Sequence, residues 1–134
     1  MSHDKLLKII LFNGEQKKWF MWSTCHRAKL RLSGLLGILD GEVTIEPDGK
    51  LSYTQDEEEA RQMNDEVYAD LVLSVNDPSC FNTIFSARTK SLKEGDAALA
   101  WKKLCERFAN STRSSKVSVS REFKMCRLEK NTKP

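Results

Sequence analysis

The fourteen residues from Gly95 to Phe108 constrain this chain more than any other stretch. Asp96 is a good N-cap, because its carboxylate can accept hydrogen bonds from the unpaired amides of a helix's first turn. Ala97, Trp101, Leu104, Cys105 and Phe108 then fall on one face at the 3.6-residue period. Asn110 stands where a left-handed C-terminal residue is wanted. A helix of this kind inserts a large aromatic side chain into a helical core. It carries no catalytic pattern, which points away from an enzyme.

A chain of 134 residues is one domain by length, and long enough to hide roughly two-thirds of its unfolded-chain surface. Apolar and charged fractions of 40% and 31% are those of a soluble globular protein. No window approaches the ~18 consecutive apolar residues of a membrane span. Leu6–Phe12 is apolar but short, is interrupted by Lys8, and lacks the small-residue cleavage pattern of a signal peptide. Residues 1–12 therefore read as a strand-like or extended arm packed on the core. Cys25, Cys80, Cys105 and Cys126 form no Cys-x-x-Cys pair and have no histidine at zinc-finger spacing. Each sits in or beside an apolar face, so buried free thiols are expected rather than two disulfides or a metal site.

Helices account for most of the remaining pattern. Over Gln16–Ser33, Met21, Cys25, Ala28 and Leu32 make a continuous apolar stripe, with Trp19 and Trp22 flanking it and Gly34 terminating it. Leu35, Leu36, Ile38 and Leu39 make one or two further turns, closed by Asp40-Gly41. Residues 42–53 show no helical period. Val43, Ile45, Leu51 and Tyr53 alternate around the turn signal Pro47-Asp48-Gly49, as in a small hairpin or a surface loop. Thr54 and Glu57 form a capping box, and the acidic run Asp56–Glu59 lies over a first helical turn, where the helix dipole favours negative charge. That helix continues through Ala60, Met63, Val67 and Leu71, widened by Tyr68, Val72 and Val75. Asp77 and Pro78 open the next one as N-cap and first residue, with Phe81, Ile84 and Phe85 as its buried face. A last helix begins near Ser114 or Ser115, with Val119, Phe123 and Cys126 on one face, and residues 130–134 form a frayed or truncated tail. The expected fold is all-α: residues 1–134 form one compact bundle of about five helices with one long polar loop.

Charge is unevenly spread. Residues 1–39 carry seven Lys/Arg against two Asp/Glu, residues 40–70 two against eleven, and residues 101–134 ten against three. This polarity suits head-to-tail association or an RNA-facing end; the plainer reading is a set of solvated helix faces. Lys116, Arg121, Lys124 and Arg127 occupy the outer face of the last helix, where they could contact phosphates or a neighbouring subunit. Aromatic residues for base stacking are missing there, since Phe123 belongs to the buried face. Chemistry is sparse elsewhere. There is no glycine-rich phosphate loop and no serine in a nucleophile-elbow setting. His26 reads as a partly buried or surface histidine whose side chain points about 100° away from that of Cys25. No catalytic, cofactor-binding or metal residue is assigned, and no small-molecule substrate or membrane partner is expected.

The order of motifs resembles the N-terminal Gag region of Copia-type LTR retrotransposons. The matching pieces are Phe12-Asn13-Gly14 with Trp19 and Trp22, then Leu35, Leu36 and Gly41, then Tyr68–Val75 with Cys80-Phe81. Gly95–Leu104 with Phe108 follows, and finally Ser115-Lys116-Val117 with Arg121-Glu122-Phe123. The resemblance spans about Phe12 to Leu128. It implies a non-enzymatic structural polyprotein whose helical domain is related to the N-terminal domain of retroviral capsids. Such a domain self-associates with other Gag chains into cytoplasmic virus-like particles that enclose element RNA. The chain departs from such Gags by stopping soon after Leu128 and by lacking a Cys-x2-Cys-x4-His-x4-Cys knuckle, as one capsid domain would, whether a fragment or a short reading frame. A helical adaptor for protein or nucleic acid, as in a domesticated element, would share the fold and differ in partner.

Overall fold

In the computed structural model, residues 9–110 are described. A 3-10 turn, Gln16–Lys18, leads into α1 (Trp19–Leu32) and the single turn α2 (Leu36–Leu39). The long helix α3 (Gln55–Leu73), the short α4 (Pro78–Phe85) and α5 (Ala97–Asn110) follow. The expectation of an all-α chain holds for these residues, with five α-helices and a single isolated β-bridge among them. The helix expected after Ser114 lies outside the described residues.

Local chemistry explains why the helices begin where they do. The Thr54 hydroxyl accepts from the Glu57 amide at 3.1 Å, while the Glu57 carboxylate accepts from the Thr54 amide at 2.9 Å. Both halves of the capping box are therefore made. Asp77 accepts from the Cys80 amide at 3.0 Å, and Pro78 opens α4 without losing a bond it would need. At α5, Asp96 caps the Leu99 amide at 3.2 Å, and the buried Asn64 of α3 caps the same helix from outside. Its side-chain oxygen accepts from the Ala97 amide at 2.9 Å and its nitrogen donates to the Gly95 carbonyl at 2.9 Å. One polar side chain thus locks α3 to the start of α5.

The core is aromatic and is built from both ends of the described chain. Phe12 is buried by a parallel bridge to Val75, in which its amide donates to the Ser74 carbonyl at 2.8 Å and its carbonyl accepts from the Asn76 amide at 3.1 Å. Its ring stacks on Trp22 at 5.0 Å and meets Trp19 and Phe108 edge-on at 5.5 and 5.0 Å. Trp19 stacks on Phe108 at 5.0 Å and lies 5.4 Å from Trp101. The Trp22 indole donates to the Ile10 carbonyl at 2.6 Å, which ties down the arm. Of the expected arm, residues 1–8 lie outside the described residues; within 9–12, Ile9 and Leu11 are exposed and Phe12 is the residue fastened to the core. On α5 the expected face is the buried one, with Ala97, Trp101, Leu104 and Phe108 inside and Cys105 at its edge.

Three expectations about faces are corrected. Met21 and Leu32 of α1 are 72% and 77% exposed, and Cys25 and Ala28 between them are exposed too. The helix instead buries Trp19, Trp22, Ser23, His26, Lys29 and Leu30. Aromatic area outweighed the smaller apolar stripe, and the polar residues on the buried arc hid it from the periodicity. Cys25 is accordingly an exposed thiol, unlike Cys80, whose burial pushes its pKa up to about 11. In α4, Cys80 and Ile84 are the fully buried pair, while Phe81 and Phe85 are only half-buried and pack on each other at 4.4 Å.

Residues 42–53 form the surface loop rather than the hairpin: Tyr53 and Lys50 bond within the segment, while Asp48 is held by other elements. Asp48 accepts from Arg61 of α3 at 2.9 Å and from the Lys93 amide at 2.9 Å, and its own amide donates to the Ser91 carbonyl at 2.7 Å. Arg61 also donates to the Glu46 carbonyl at 2.7 Å and lies over the Tyr53 ring at 4.6 Å.

Two glycines carry backbone conformations that the packing demands. Gly14 has φ +86° and a Cβ there would meet the Asp77 carboxyl at 2.8 Å. Gly95 has φ +123°, and a Cβ there would be built into the Tyr68 ring, whose hydroxyl is already held by the Ile84 carbonyl at 2.9 Å. Gly95→Ala should therefore destabilise the fold by more than the ~1 kcal/mol of an ordinary glycine effect. Trp101→Ala should cost about 3–5 kcal/mol through the cavity it leaves. Thermal and denaturant unfolding of both variants checks this; a near-unchanged midpoint for either would refute the packing described.

Candidate interaction surface

One group of titratable side chains is internal. His26 and Lys29 of α1 meet Asp70 of α3 in a region closed to solvent, with 0, 7 and 4% exposure. The Lys29 ammonium is 3.0 Å from both Asp70 oxygens. The His26 Nε2 atom is 3.6 Å from Asp70, too long for a hydrogen bond, and neither ring nitrogen has a partner among the described residues. The ring stacks on Trp22 at 4.8 Å and on Trp101 at 5.5 Å. His26 was expected to be partly buried or at the surface; it is wholly buried, while Cys25, about 100° away round the helix, is exposed. Sequence periodicity missed this group because an Asp inside the run Tyr68–Val72 and a Lys beside Leu30 read as solvent positions. The informative feature is the pairing itself, one buried charge of each sign on two facing helices, and it spans 41 residues.

Burial, followed by the charge of Lys29, lowers the His26 pKa to about 3. Burial raises that of Asp70, against the opposing hydrogen bond and charge of Lys29. At this depth of burial the group's geometric effect is to fix α1 against α3. A cleft of about 40 Å³ between Asp48, Arg61, Asp65, Leu92 and Glu94 is the other concavity of interest. It has room for a water or two, far below the ~300 Å³ at which ligand pockets begin. Among the described residues, no group of three or more His, Cys, Asp or Glu could hold a metal ion, and no helix is long and apolar enough to cross a membrane.

The acidic block 40–70 is partly neutralised inside the chain. Asp40 pairs with Arg27, Asp48 with Arg61, Asp70 with Lys29, and Glu46 and Glu57 share Lys50. Glu42, Asp56, Glu58, Glu59, Asp65 and Glu66 are exposed and make no salt bridge among the described residues. Their opposite number in the sequence, the basic face of Lys116, Arg121, Lys124 and Arg127, lies outside the described residues. The surface feature that periodicity placed inside, the α1 stripe of Met21, Cys25, Ala28 and Leu32, is instead an open apolar face. No protein-family model matches the chain, and no curated protein or solved structure matches it either.

The buried histidine gives a pH dependence of definite sign. Below pH 6.5 the unfolded chain takes up a proton at this ring that the folded chain refuses until about pH 3. Stability that is fully present above pH 6.5 is therefore lost as the pH falls, at up to about 1.4 kcal/mol per unit. Asp70 acts in the opposite direction, since a carboxyl whose pKa is raised in the folded state favours folding as it protonates. His26→Phe should keep the ring stacking and flatten the decline between pH 6.5 and 4. An unchanged slope in that variant, measured by denaturant titration across pH, would show that another group governs the acid limb.

Proposed function

We propose that the chain is a non-enzymatic structural module, a Gag-type capsid-like domain whose work is to associate with further copies of itself. The observation that carries this reading is where the residues of the Gag resemblance lie in space. Phe12, Trp19, Trp22, Trp101 and Phe108 are separated by up to 96 residues of sequence, yet their rings form one connected cluster. Gly14 and Gly95, from the same motifs, sit where a side chain would strike Asp77 and Tyr68. The motif residues thus specify one packing arrangement rather than a reactive centre. The burial of the His26–Lys29–Asp70 group favours the same conclusion. On this reading the exposed acids of α3 and the basic face of Lys116, Arg121, Lys124 and Arg127 serve contacts between chains or with element RNA, in a cytoplasmic particle.

Sedimentation across protein concentration and salt tests the reading. Self-association should be weak and should lessen as salt screens the exposed charges. Reversing Lys116, Arg121, Lys124 and Arg127 to Glu should reduce it further at low salt while leaving the helical circular-dichroism signal intact. A chain that stays monomeric to about 1 mM is not an assembly domain. Association that survives the reversal together with lost RNA binding would assign the basic face to nucleic acid.

A further inference from the structure

The apolar stripe on the outside of α1 has a particular symmetry. Met21, Cys25, Ala28 and Leu32 are spaced four, three and four residues apart, and all four are exposed. The pattern reads the same in both directions. Large side chains stand at its ends and the two small ones in its middle.

We infer that this stripe is a two-fold interface between copies of the chain, in which α1 packs antiparallel on α1 of a second copy. This rests on the self-association reading above and adds the surface that performs it. Reversal about the midpoint between Cys25 and Ala28 places Met21 opposite Leu32 of the second copy, and Cys25 opposite its Ala28. Apolar meets apolar at all four positions, and the small central pair lets the two backbones approach closely, as an isologous contact requires.

Charge selects the direction. The stripe itself is uncharged, but Arg31 and Lys18 flank it and are exposed, Lys18 lying 3.8 Å from the Glu15 carboxylate. A parallel pair would set each cation beside its own copy. The antiparallel pair separates the two Arg31 positions by about 13 Å along the axis, from a rise of 1.5 Å per residue, and the two Lys18 positions by more. That exceeds the ~8 Å Debye length at physiological salt, so the repulsion is screened. Area sets the strength. Four side chains on one helix offer roughly a few hundred Å², about half of the ~800 Å² per partner in a standard stable interface. The pair is therefore weak, and being apolar it survives salt that removes ionic contacts.

The test uses the full chain in about 1 M salt, where charged contacts are screened to ~3 Å. Sedimentation at rising concentration should show a dimer there. Met21→Glu with Leu32→Glu should weaken that dimer by about tenfold or more, with unchanged helicity and melting temperature, because both residues are exposed. The direction is read separately. In a Cys25→Ser background, chains carrying Met21→Cys are mixed with chains carrying Leu32→Cys and oxidised, and the linked peptides are mapped. The expected product joins position 21 of one chain to position 32 of the other. Links mainly between two positions 21 would overturn the antiparallel arrangement. A link from position 21 to Cys126 of the same chain would overturn the interface in favour of the chain's own C-terminal segment. A wild-type chain that associates only at low salt, or equally well with both glutamates present, keeps the self-association reading and overturns this interface. A wild-type chain that is monomeric at every salt and concentration overturns both.

Discussion

The contact on which the rest of the structure depends is that of Phe12 with the aromatic rings of α1 and α5. A single ring from the arm touches Trp19, Trp22 and Phe108, and through them Trp101. Backbone pairing with Ser74 and Asn76 fixes the same residue to the α3–α4 junction. Three separate parts of the chain are thereby referred to one side chain. Each aromatic pair adds about 0.5–1.5 kcal/mol beyond its area, so a cluster this connected favours a single arrangement of α1 against α5. Gln16, which donates to the Phe108 carbonyl, closes the same junction from the start of the first helix.

The second constraint is polar. Lys29 and Asp70 are costly to bury, and an apolar pair of the same volume would often be at least as stable. Their geometric consequence is clearer than their net energy: either charge left alone in that space would cost several kcal/mol, so sliding α1 along α3 is penalised. Asn64 does the same for α3 and α5 through two hydrogen bonds at 2.9 Å. The helices are held in register by a few directional contacts within an otherwise non-directional aromatic core.

Where local chemistry decides structure, the sequence was readable. Thr54 with Glu57, Asp77 with Pro78, and Asp96 before Ala97 each mark a helix start by satisfying amides within a few residues, and each lies at the start observed. The inward face of α5 was readable because its largest apolar residues, Trp101, Leu104 and Phe108, lie on one arc. For α1 it was not, because two apolar arcs compete. Met21, Cys25, Ala28 and Leu32 give the cleaner period, whereas the arc with Trp19, Trp22 and Leu30 is interrupted by Ser23, His26 and Lys29. The two tryptophans bring the second arc inside, and the partner that makes Lys29 tolerable there, Asp70, lies 41 residues away. Of the two readings open for residues 42–53, the surface loop is the one observed, and the hairpin is not formed for the same reason. The alternation around Pro47–Gly49 is genuine, but Asp48 is bound by Arg61 and Lys93, neither of which a local pattern can reveal.

Charge blocks in a sequence are likewise a poor guide to charge on a surface. The excess of acid in residues 40–70 is drawn down by Arg27 and Lys29, which arrive from the basic first third of the chain. Folding thus neutralises part of both blocks at once, and does so along α1. What α1 then presents outward is apolar at Met21, Cys25, Ala28 and Leu32, because its arginine at 27 and lysine at 29 are already committed to Asp40 and Asp70. The open stripe is therefore a consequence of how the core is satisfied. A helix that spends its polar residues inward has fewer left to solvate its outer face, and the area left uncovered must be tolerated by the monomer or covered by association.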